Sequence, residues 1–498
     1  MLFLVNFLPS ILLILLLIII FQHIKNKDFY KKAALLPGPR TIPLIGNAHL
    51  LFGKKSNLLN KLYKMYDLYP SLFRLWIGNS LIITIYDPEK IEAVLKSSKI
   101  CERPKYYKLF EHHVGKGIFT LSVPKWRLHR KLILPAIKNL HSCNEIFQKH
   151  AIMFLKIIDD KENGKEFNVA QYTSIYSMNI ILERIMNETV NLGFDETQTH
   201  VAQFKSALNS MTYKILNSYF LFNFQISKNL TKDIDPVHKL IENMIHQKRK
   251  FFIESMNEKI NDNKICKTKS FFDFLMKKSF LENQLTEQDV LEEVKTIIVA
   301  GSHTTAVVAD FAMRLLASFP EVQEKVRQEI KEIFGDINLE DKLITNEELS
   351  KMDYLERVIK ETMRLFPAGP TISRKVTEDF KIGEYTLPKG SNVIIPIFHI
   401  HRSKKLWSNP LKFNPDRFQL EEIAKRHKMT YLPFSSGPRN CIGYKFSTTS
   451  LKILLLTILQ KHVLETDDTT PIENIKVKTN VILEPVKPIK IKMKKLNI

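Results

Sequence analysis

The longest pattern of apolar residues at helical spacing lies in the middle of the chain. It starts after Thr286, where Asp289 stands three residues on as the second member of a capping box. Apolar residues keep this spacing as far as Leu315, and Phe319-Pro320 ends the pattern. The pattern predicts a helix about 45 Å long at 1.5 Å per residue, which crosses a whole domain and is buried in its middle.

Other parts of the chain add more helix and a little strand. The pattern is mainly helical over residues 125–335, and a shorter helix is predicted from Leu349 to Leu365. Two strands are predicted at Leu72–Trp76 and Leu81–Tyr86, and alternation of apolar residues with lysines predicts half-exposed strands from Ile475 to Ile491. No internal repeat is visible. The sequence therefore predicts one large, mainly α fold with a small β region.

The N-terminal segment is apolar and is followed by lysines. Leu2–Phe21 is apolar apart from Asn6, Pro9 and Ser10, which suffices for a helix across a bilayer core of about 30 Å. The lysines lie on the C-terminal flank, which predicts that the following residues stay on the cytoplasmic side. A cleaved signal peptide needs a basic start and a small-residue cleavage site, and the segment has neither. We expect a single-pass transmembrane anchor over residues 1–22.

A basic flank and a proline-rich stretch follow the expected anchor, over residues 23–47. The prolines of Leu36-Pro37-Gly38-Pro39-Arg40 and of Ile42-Pro43 fix the backbone angle and suppress helix. We expect a stiff, extended spacer that holds the rest of the chain, residues 48–498, against the membrane face.

Composition and charge narrow the function classes. Of 498 residues, 44% are hydrophobic and 25% are charged, which excludes a wholly disordered chain and a polytopic membrane protein. The formal net charge is +22, but basic residues are spread along the chain and mixed with acids. This distribution predicts a solvated, lysine-rich surface and no nucleic-acid binding. A basic patch that faces an acidic protein or an anionic membrane is the alternative interpretation.

The cysteines are scattered, and one of them lies in a distinctive loop. No CxxC is present, so neither a zinc site nor a disulfide scaffold is indicated. Cys441 stands between Gly437 and Gly443, just before a helical pattern that starts at Tyr444. Backbone N–H groups at a helix N-terminus lower a thiol pKa, and Arg439 adds positive charge. We therefore expect a thiolate even before a metal is considered.

A lone thiolate of this kind fits one metal role better than others. Without a partner cysteine, axial ligation of a haem iron by Cys441 is favoured over a cluster or a zinc ion. A buried structural cysteine is the alternative.

The stretch around Cys441 resembles the haem-binding signature of the cytochrome P450 family, Phe-x-x-Gly-x-Arg-x-Cys-x-Gly. Phe434, Gly437, Arg439 and Gly443 occupy its fixed positions. Four further motifs agree in the family's order, and the match covers nearly the whole chain. The resemblance implies a single haem-thiolate fold with haem b, held non-covalently apart from the bond between its iron and Cys441.

Two of these motifs resemble a structural network of the family. Glu361 and Arg364 stand three residues apart in Glu-Thr-Met-Arg and share one face of a helix. The resemblance implies that this pair is buried and that Arg417, in Pro-Asp-Arg-Phe, is its third member. The network would fix the haem-side scaffold without acting on substrate. An ordinary surface ion pair is the alternative.

Another motif resembles the helix that holds the haem propionates. Trp126 and Arg130 stand four residues apart, and an indole N–H and a guanidinium are suitable donors to carboxylates. Arg374 and Arg439 resemble further propionate arginines. His129, within the same segment, is expected to face solvent.

The middle of the long predicted helix, Ala300–Thr305, resembles the family's oxygen-binding groove. Gly301 permits close approach to the backbone, and Thr304 offers a hydroxyl there. In the family an acid–alcohol pair at this place delivers protons to dioxygen, and Thr304 takes the alcohol position. His303 stands where the family has Asp or Glu, and because histidine titrates near pH 6.5 it can pass protons. Ordinary helix packing through small residues is the alternative.

Ala300 marks a second departure from the family pattern. In many members of the fatty-acid-hydroxylase branch, a glutamate just before this glycine forms an ester with a haem methyl group. The Ala300 methyl group cannot do so, so the haem is expected to carry no ester and the pocket to take substrates bulkier than a straight chain.

The resemblance implies a microsomal monooxygenase of the animal fatty-acid-hydroxylase-related branch. We expect an endoplasmic reticulum membrane protein with a cytoplasmic catalytic domain, which acts on a fatty acid, a hormone-like lipid or a xenobiotic. A haem-thiolate isomerase or dehydratase is one alternative, and Thr304 argues against it. A membrane-tethered haem protein without turnover is the other, because of His303.

Electrons must come from a partner, because the chain has no glycine fingerprint for a flavin or nicotinamide. The expected partner is an NADPH-dependent flavoprotein reductase, with a cytochrome b5-type donor as a second source. A basic face near the haem elements could dock such an acidic partner; its candidate members are Lys125, Arg127, Lys131 and Lys445.

Overall fold

The computed structural model describes residues 21, 24–42, 45–51, 64–139, 143–187, 199, 235–261, 270–479 and 481–496. The anchor expected over residues 1–22 therefore lies almost wholly outside the described residues. The chain divides into two compact units. The N-terminal unit comprises Met1–Pro104 and Ser373–Ile395, and the main unit comprises Lys105–Ile372 and Pro396–Ile498.

The described elements are numbered here in chain order. The helices are α1 Lys27–Ala34, α2 Pro88–Lys96, α3 Lys108–Val114, α4 Val123–Asn139, α5 Asn144–Glu162, α6 Val169–Met186, α7 Asp235–Asn261, α8 Phe271–Phe280, α9 Glu287–Ser318, α10 Pro320–Phe334, α11 Asn346–Lys351, α12 Asp353–Leu365, α13 Ile397–Ile400, α14 Leu420–Ala424 and α15 Tyr444–Lys461. The strands are β1 Leu72–Ile77, β2 Ser80–Ile85, β3 Phe167–Asn168, β4 Ile372–Lys375, β5 Phe380–Ile382, β6 Tyr385–Leu387, β7 Asn392–Ile395, β8 His462–Glu465, β9 Val477–Thr479, β10 Leu483–Pro485 and β11 Lys490–Lys495. The prediction of a mainly α fold with a small β region is confirmed.

The N-terminal unit is built on a four-stranded sheet in the order β1-β2-β7-β4. Strands β1 and β2 form an antiparallel hairpin in which Leu72 is opposite Ile85, and β2 runs parallel to β7. Gly78 takes a positive φ of 55° at the turn, which suits glycine. The two strands predicted here from the sequence are confirmed.

Helix α9 is the central element of the main unit. Its capping box forms as predicted: the Asp289 N–H donates to Thr286 Oγ1 and the Thr286 N–H donates to Asp289 Oδ2, each at 3.1 Å. The helix ends at Ser318, and Pro320 begins the next one. Among the residues that the structure describes, α9 alone is long and apolar enough to cross a membrane, yet 83% of its most apolar stretch is buried. It is thus a core helix, as predicted.

Neighbouring helices hold α9 with hydrogen bonds and aromatic packing. On α6, the Ser177 hydroxyl donates to the Ser302 carbonyl at 2.5 Å. On the other side, the rings of Phe311 and Phe366 stack with centroids 4.1 Å apart and planes 3° from parallel. Both rings are fully buried, so this stack belongs to the core that fixes α9 against the end of α12.

The helix predicted from Leu349 to Leu365 is two helices in the structure. The break falls at Met352, whose ψ of 71° is not helical. The Glu329 carboxylate of α10 accepts the N–H groups of Tyr354 at 2.6 Å and Leu355 at 2.9 Å. A side chain from another helix therefore caps the start of α12, which the local pattern could not indicate.

The C-terminal strands form two small sheets in the main unit. Strands β9 and β10 pair antiparallel, and β11 lies between β3 and β8. The strands predicted over Ile475–Ile491 therefore exist, but β11 continues to Lys495.

The network expected around Glu361 is buried in the main unit. The carboxylate accepts from Arg364 Nε at 2.6 Å and from Arg364 Nη2 at 2.8 Å, and neither side chain is exposed. Arg417 Nε lies 3.4 Å from Glu361 Oε1, and Arg364 Nη1 donates to the His401 carbonyl at 2.7 Å. The guanidinium of Arg364 also lies 5.0 Å from the centre of the Trp407 ring. The alternative of an ordinary surface ion pair is excluded, because both side chains are buried. Two hydrogen bonds between the guanidinium and the carboxylate compensate the buried charges.

We expect Phe366→Ala to lower the free energy of unfolding of the holoprotein by about 3–5 kcal/mol, because it leaves a cavity and removes the stacked ring from Phe311. Leu420→Ala is the control, since its side chain is 80% exposed, and it should change stability by less than about 0.5 kcal/mol. Urea unfolding measures both. Equal effects would contradict the packing described for α9 and α12.

Glu361→Gln should be strongly destabilising, by about 3–5 kcal/mol, because it leaves the buried Arg364 and Arg417 without a carboxylate. Glu347→Gln makes the same chemical change in an exposed pair with Lys351 and should leave stability unchanged. Urea unfolding and the haem content of the purified protein are the measurements. A mild effect of Glu361→Gln would mean that the network does not hold the scaffold.

Candidate active site

A tight loop presents Cys441 just before α15. The Cys441 N–H donates to the Phe434 carbonyl at 2.9 Å, and the Asn440 N–H donates to the Gly437 carbonyl at 3.1 Å. Gly437 has a φ of 76°, a conformation that glycine adopts without strain. Phe434 packs edge-on against Tyr444, with ring centroids 5.2 Å apart. The loop is therefore fixed at both ends, and Cys441 keeps exposed surface although protein surrounds it.

The protonation of Cys441 differs from the expectation. Burial raises the pKa of the thiol, and this effect outweighs the backbone N–H of Gly443, the charge of Arg130 and the backbone N–H of Tyr444, which all lower it. The prediction that the chain alone favours a thiolate is wrong, because the helix N-terminus does not offset the loss of water. A metal cation does offset it, since a coordinating thiol is deprotonated.

Three of the residues expected to bind propionates come together beside this loop. The guanidinium of Arg439 lies 4.4 Å from the centre of the Trp126 ring, and that of Arg130 lies 5.8 Å from it. Arg130 donates to the carbonyl of Asn440 at 2.9 Å and also to its side-chain oxygen. Helix α4 is thus tied to the residue that precedes Cys441. Sequence reasoning did not single out Asn440, although its place next to the cysteine was a signal.

Arg374 belongs to strand β4 and to the N-terminal unit. Its side chain is buried, and Nη1 donates to the Ser373 carbonyl at 3.0 Å. Its predicted role as a propionate ligand stays a prediction.

The middle of α9 has one uncovered face. From Glu293 to Ala317 every side chain is buried except at Ala300, Gly301 and Thr304, which share one side of the helix. The Thr304 hydroxyl donates to the Ala300 carbonyl at 2.7 Å. A Cβ at Gly301 would lie 3.0 Å from Ile181 Cδ1 of α6, so the Ile181 side chain packs directly against the backbone of α9 there.

The uncovered face and the cysteine loop belong to one region. The hydroxyl of Thr305, next to Thr304, donates to Ser447 Oγ at 3.2 Å. Ser447 lies in the first turn of α15, the helix that follows Cys441. The structure therefore brings together an accessible cysteine, an indole, two guanidinium groups and the uncovered face of a core helix. A cysteine that can bind iron, beside N–H groups that can bind two carboxylates, fits a haem.

His303 takes a position on α9 different from that of Thr304. Its side chain is buried, and Nε2 lies 2.6 Å from Glu484 Oε1 on β10. The sequence indicated only that a histidine stands at this place instead of the family's acid. The structure supplies a carboxylate from a distant strand, which sequence reasoning missed.

His129 does not face solvent as expected. It is buried, and its Nδ1 lies 2.6 Å from Glu293 Oε1 on α9. Glu293 is itself fully buried, and its other oxygen accepts the Ile118 N–H at 2.9 Å. Burial raises the pKa of this carboxyl group. The pair therefore joins α4, which carries Trp126, to the first half of α9.

Comparison with known proteins agrees with this geometry. The family model described as Cytochrome P450 matches residues 36–493. The chain is 31% identical over 497 residues to the protein named Cytochrome P450 4c21 of Blattella germanica, with 97% of this chain and 98% of that protein covered. It is also 31% identical to Cytochrome P450 4V2 of Homo sapiens, with 92% and 89% covered.

A solved structure shows the same fold. The crystal structure of the cytochrome P450DA heme domain superposes with a TM-score of 0.75 at 22% identity, and covers 93% of this chain and 97% of that one. The chain therefore belongs to the cytochrome P450 family, and it is a monooxygenase that uses haem b ligated to iron by a cysteine thiolate.

Proposed function

We propose that this monooxygenase inserts one oxygen atom into a small lipophilic substrate, with Cys441 as the residue that would bind the iron of its haem. The observation that carries the proposal is the bare face of α9 at Ala300, Gly301 and Thr304, in the region of the Cys441 loop. Three relatives carry the number 4 in their names. They are the two described above and Cytochrome P450 4c3 of Drosophila melanogaster, which is 30% identical to this chain. A fatty acid, a hormone-like lipid or a xenobiotic is the proposed substrate class.

Each residue of the site has a distinct part in this proposal. Haem bound through the Cys441 thiolate would supply dioxygen activation, and electron donation by the thiolate would favour cleavage of the O–O bond. Trp126, Arg130 and Arg439 would hold the two propionate carboxylates through their N–H groups. Gly301 has no side chain, so α9 takes up little space at its centre. The Thr304 hydroxyl carries a proton on Oγ1, which it donates to the Ala300 carbonyl of its own helix.

An NADPH-dependent flavoprotein reductase is the proposed electron donor, with a cytochrome b5-type protein as a second source. Arg127, Lys131 and Lys445 are exposed, which suits contact with an acidic protein. Lys125, the fourth member of the expected basic face, is already paired with Asp289 and is a weaker candidate.

The proposed location is the endoplasmic reticulum membrane, with an anchor over residues 1–22, a spacer over 23–47 and the haem-thiolate domain over 48–498. The described part of the spacer supports an ordered connection within the N-terminal unit. The Arg74 N–H of β1 donates to the Pro37 carbonyl at 2.7 Å. A Cβ at Gly38 would lie only 2.5 Å from the Arg74 carbonyl oxygen, so the spacer packs closely on the sheet.

The first test of this function is spectroscopic. Carbon monoxide should give the reduced holoprotein the red-shifted absorption band of thiolate ligation, and Cys441→Ala should abolish it. Cys101→Ala is the matched control, since Cys101 is a buried cysteine of the N-terminal unit, and it should keep the band. A Cys441→Ala protein that retained the band would refute the assignment.

Product formation that needs no NADPH would favour the isomerase alternative.

The second test concerns the attachment of the haem. With alanine at position 300, extraction with acid and organic solvent should leave a polypeptide of unmodified mass and free haem in the organic layer. Ala300→Glu is the matched variant, because it restores a carboxylate and should gain a fraction that carries the mass of haem after turnover. A wild-type polypeptide with the mass of haem would show that another side chain forms the bond.

A further inference from the structure

The contact between His303 and Glu484 joins two parts of the main unit that are far apart in sequence. His303 Nε2 lies 2.6 Å from Glu484 Oε1, across a separation of 181 residues. The His303 side chain is 3% exposed and that of Glu484 is 14% exposed. The pair is therefore mostly removed from water, where a charge is worth more to its neighbours than at the surface.

The backbone holds Glu484 firmly on both sides. Strand β10 pairs antiparallel with β9, and the Leu483 N–H donates to the Ala368 carbonyl at 2.9 Å. On the other side, the Val486 N–H donates to the Lys476 carbonyl at 2.9 Å. The side chain of Leu483 is fully buried, so the strand is fixed in the core of the main unit. The backbone that carries the Glu484 carboxylate is therefore fixed within the fold.

The chemistry of the pair follows from its geometry. A carboxylate accepts hydrogen bonds, so Nε2 of His303 carries a proton whether the imidazole is neutral or charged. The contact therefore sets the tautomer and the orientation of the ring, as a carboxylate does for a metal-bound histidine. It also brings a negative charge to the helix position that precedes Thr304.

We propose that Glu484 is a positioning residue for proton delivery in this monooxygenase: acting through His303, it supplies the negative charge that α9 lacks beside Thr304. The inference rests on the proposed role of Thr304. Glu484 itself touches neither the substrate nor the reacting oxygen in this proposal. In the family the acid is a residue of the helix itself. In this proposal, Glu484 of β10 takes over the role of that acid on α9.

The test uses the holoenzyme with an NADPH-dependent reductase and dodecanoic acid as the probe, and measures hydrogen peroxide released per NADPH oxidised. Glu484→Gln should raise this ratio, and Glu484→Asp should restore it in part. The double variant His303→Glu/Glu484→Gln moves the carboxylate onto α9 and should return the ratio toward the wild-type value. Glu473→Gln, the same change at an exposed position, is the matched control and should have no effect.

A readout independent of turnover is a double-mutant cycle in thermal unfolding. The midpoints of His303→Ala, Glu484→Ala and the double variant should be non-additive, because each single change removes the same contact. Additive midpoints would overturn the inference, since the contact would then be absent in solution.

A purely structural role is separated by comparing the two readouts. If the midpoints are non-additive but Glu484→Gln leaves the peroxide ratio unchanged while Thr304→Ala raises it, the inference fails and the proposed role of Thr304 stands. If Thr304→Ala also leaves the ratio unchanged, the proposed proton role of this helix fails with it.

Discussion

Burial raises the pKa of the Cys441 thiol, so a thiolate at this position depends on a positive charge that the polypeptide alone does not provide. Bound iron would supply that charge, and hydrogen bonds of the protein hold the loop that presents the sulfur. Three contacts hold the loop. They are the backbone hydrogen bonds from Cys441 to Phe434 and from Asn440 to Gly437, and the contact between Arg130 and Asn440. Cofactor binding and the ionisation of Cys441 are therefore coupled.

Buried carboxylates recur wherever elements around the site must keep a fixed relation. Glu361 joins α12 to the segment that carries Arg417, Glu293 joins α9 to α4 through His129, and Glu484 joins β10 to α9. In each case the partner comes from another element of the main unit. A buried carboxylate without its partner is costly, so each pair favours one arrangement of its two elements over others.

Local patterns in the sequence predicted what depends on near neighbours. The capping box at Thr286, the helix stop before Pro320 and the hairpin around Gly78 all follow from residues a few positions apart, and the structure confirms them. The thiol pKa and the burial of His129 were predicted wrongly, because both depend on groups that the fold brings from elsewhere. Glu293, the partner of His129, is 164 residues away. Periodicity carries no information about such a contact.

Helix α9 differs from the family pattern at two positions, and both changes remove a carboxylate from its centre. Ala300 leaves bare surface where many relatives of the fatty-acid-hydroxylase branch have a glutamate, and His303 replaces an acid. These changes have different structural consequences. Position 300 is exposed and has gained space, whereas position 303 is buried and has gained a partner, Glu484. A motif read residue by residue records two losses of charge. In three dimensions the first loss stands, whereas at the second position a carboxylate of β10 contacts the histidine that replaces the acid.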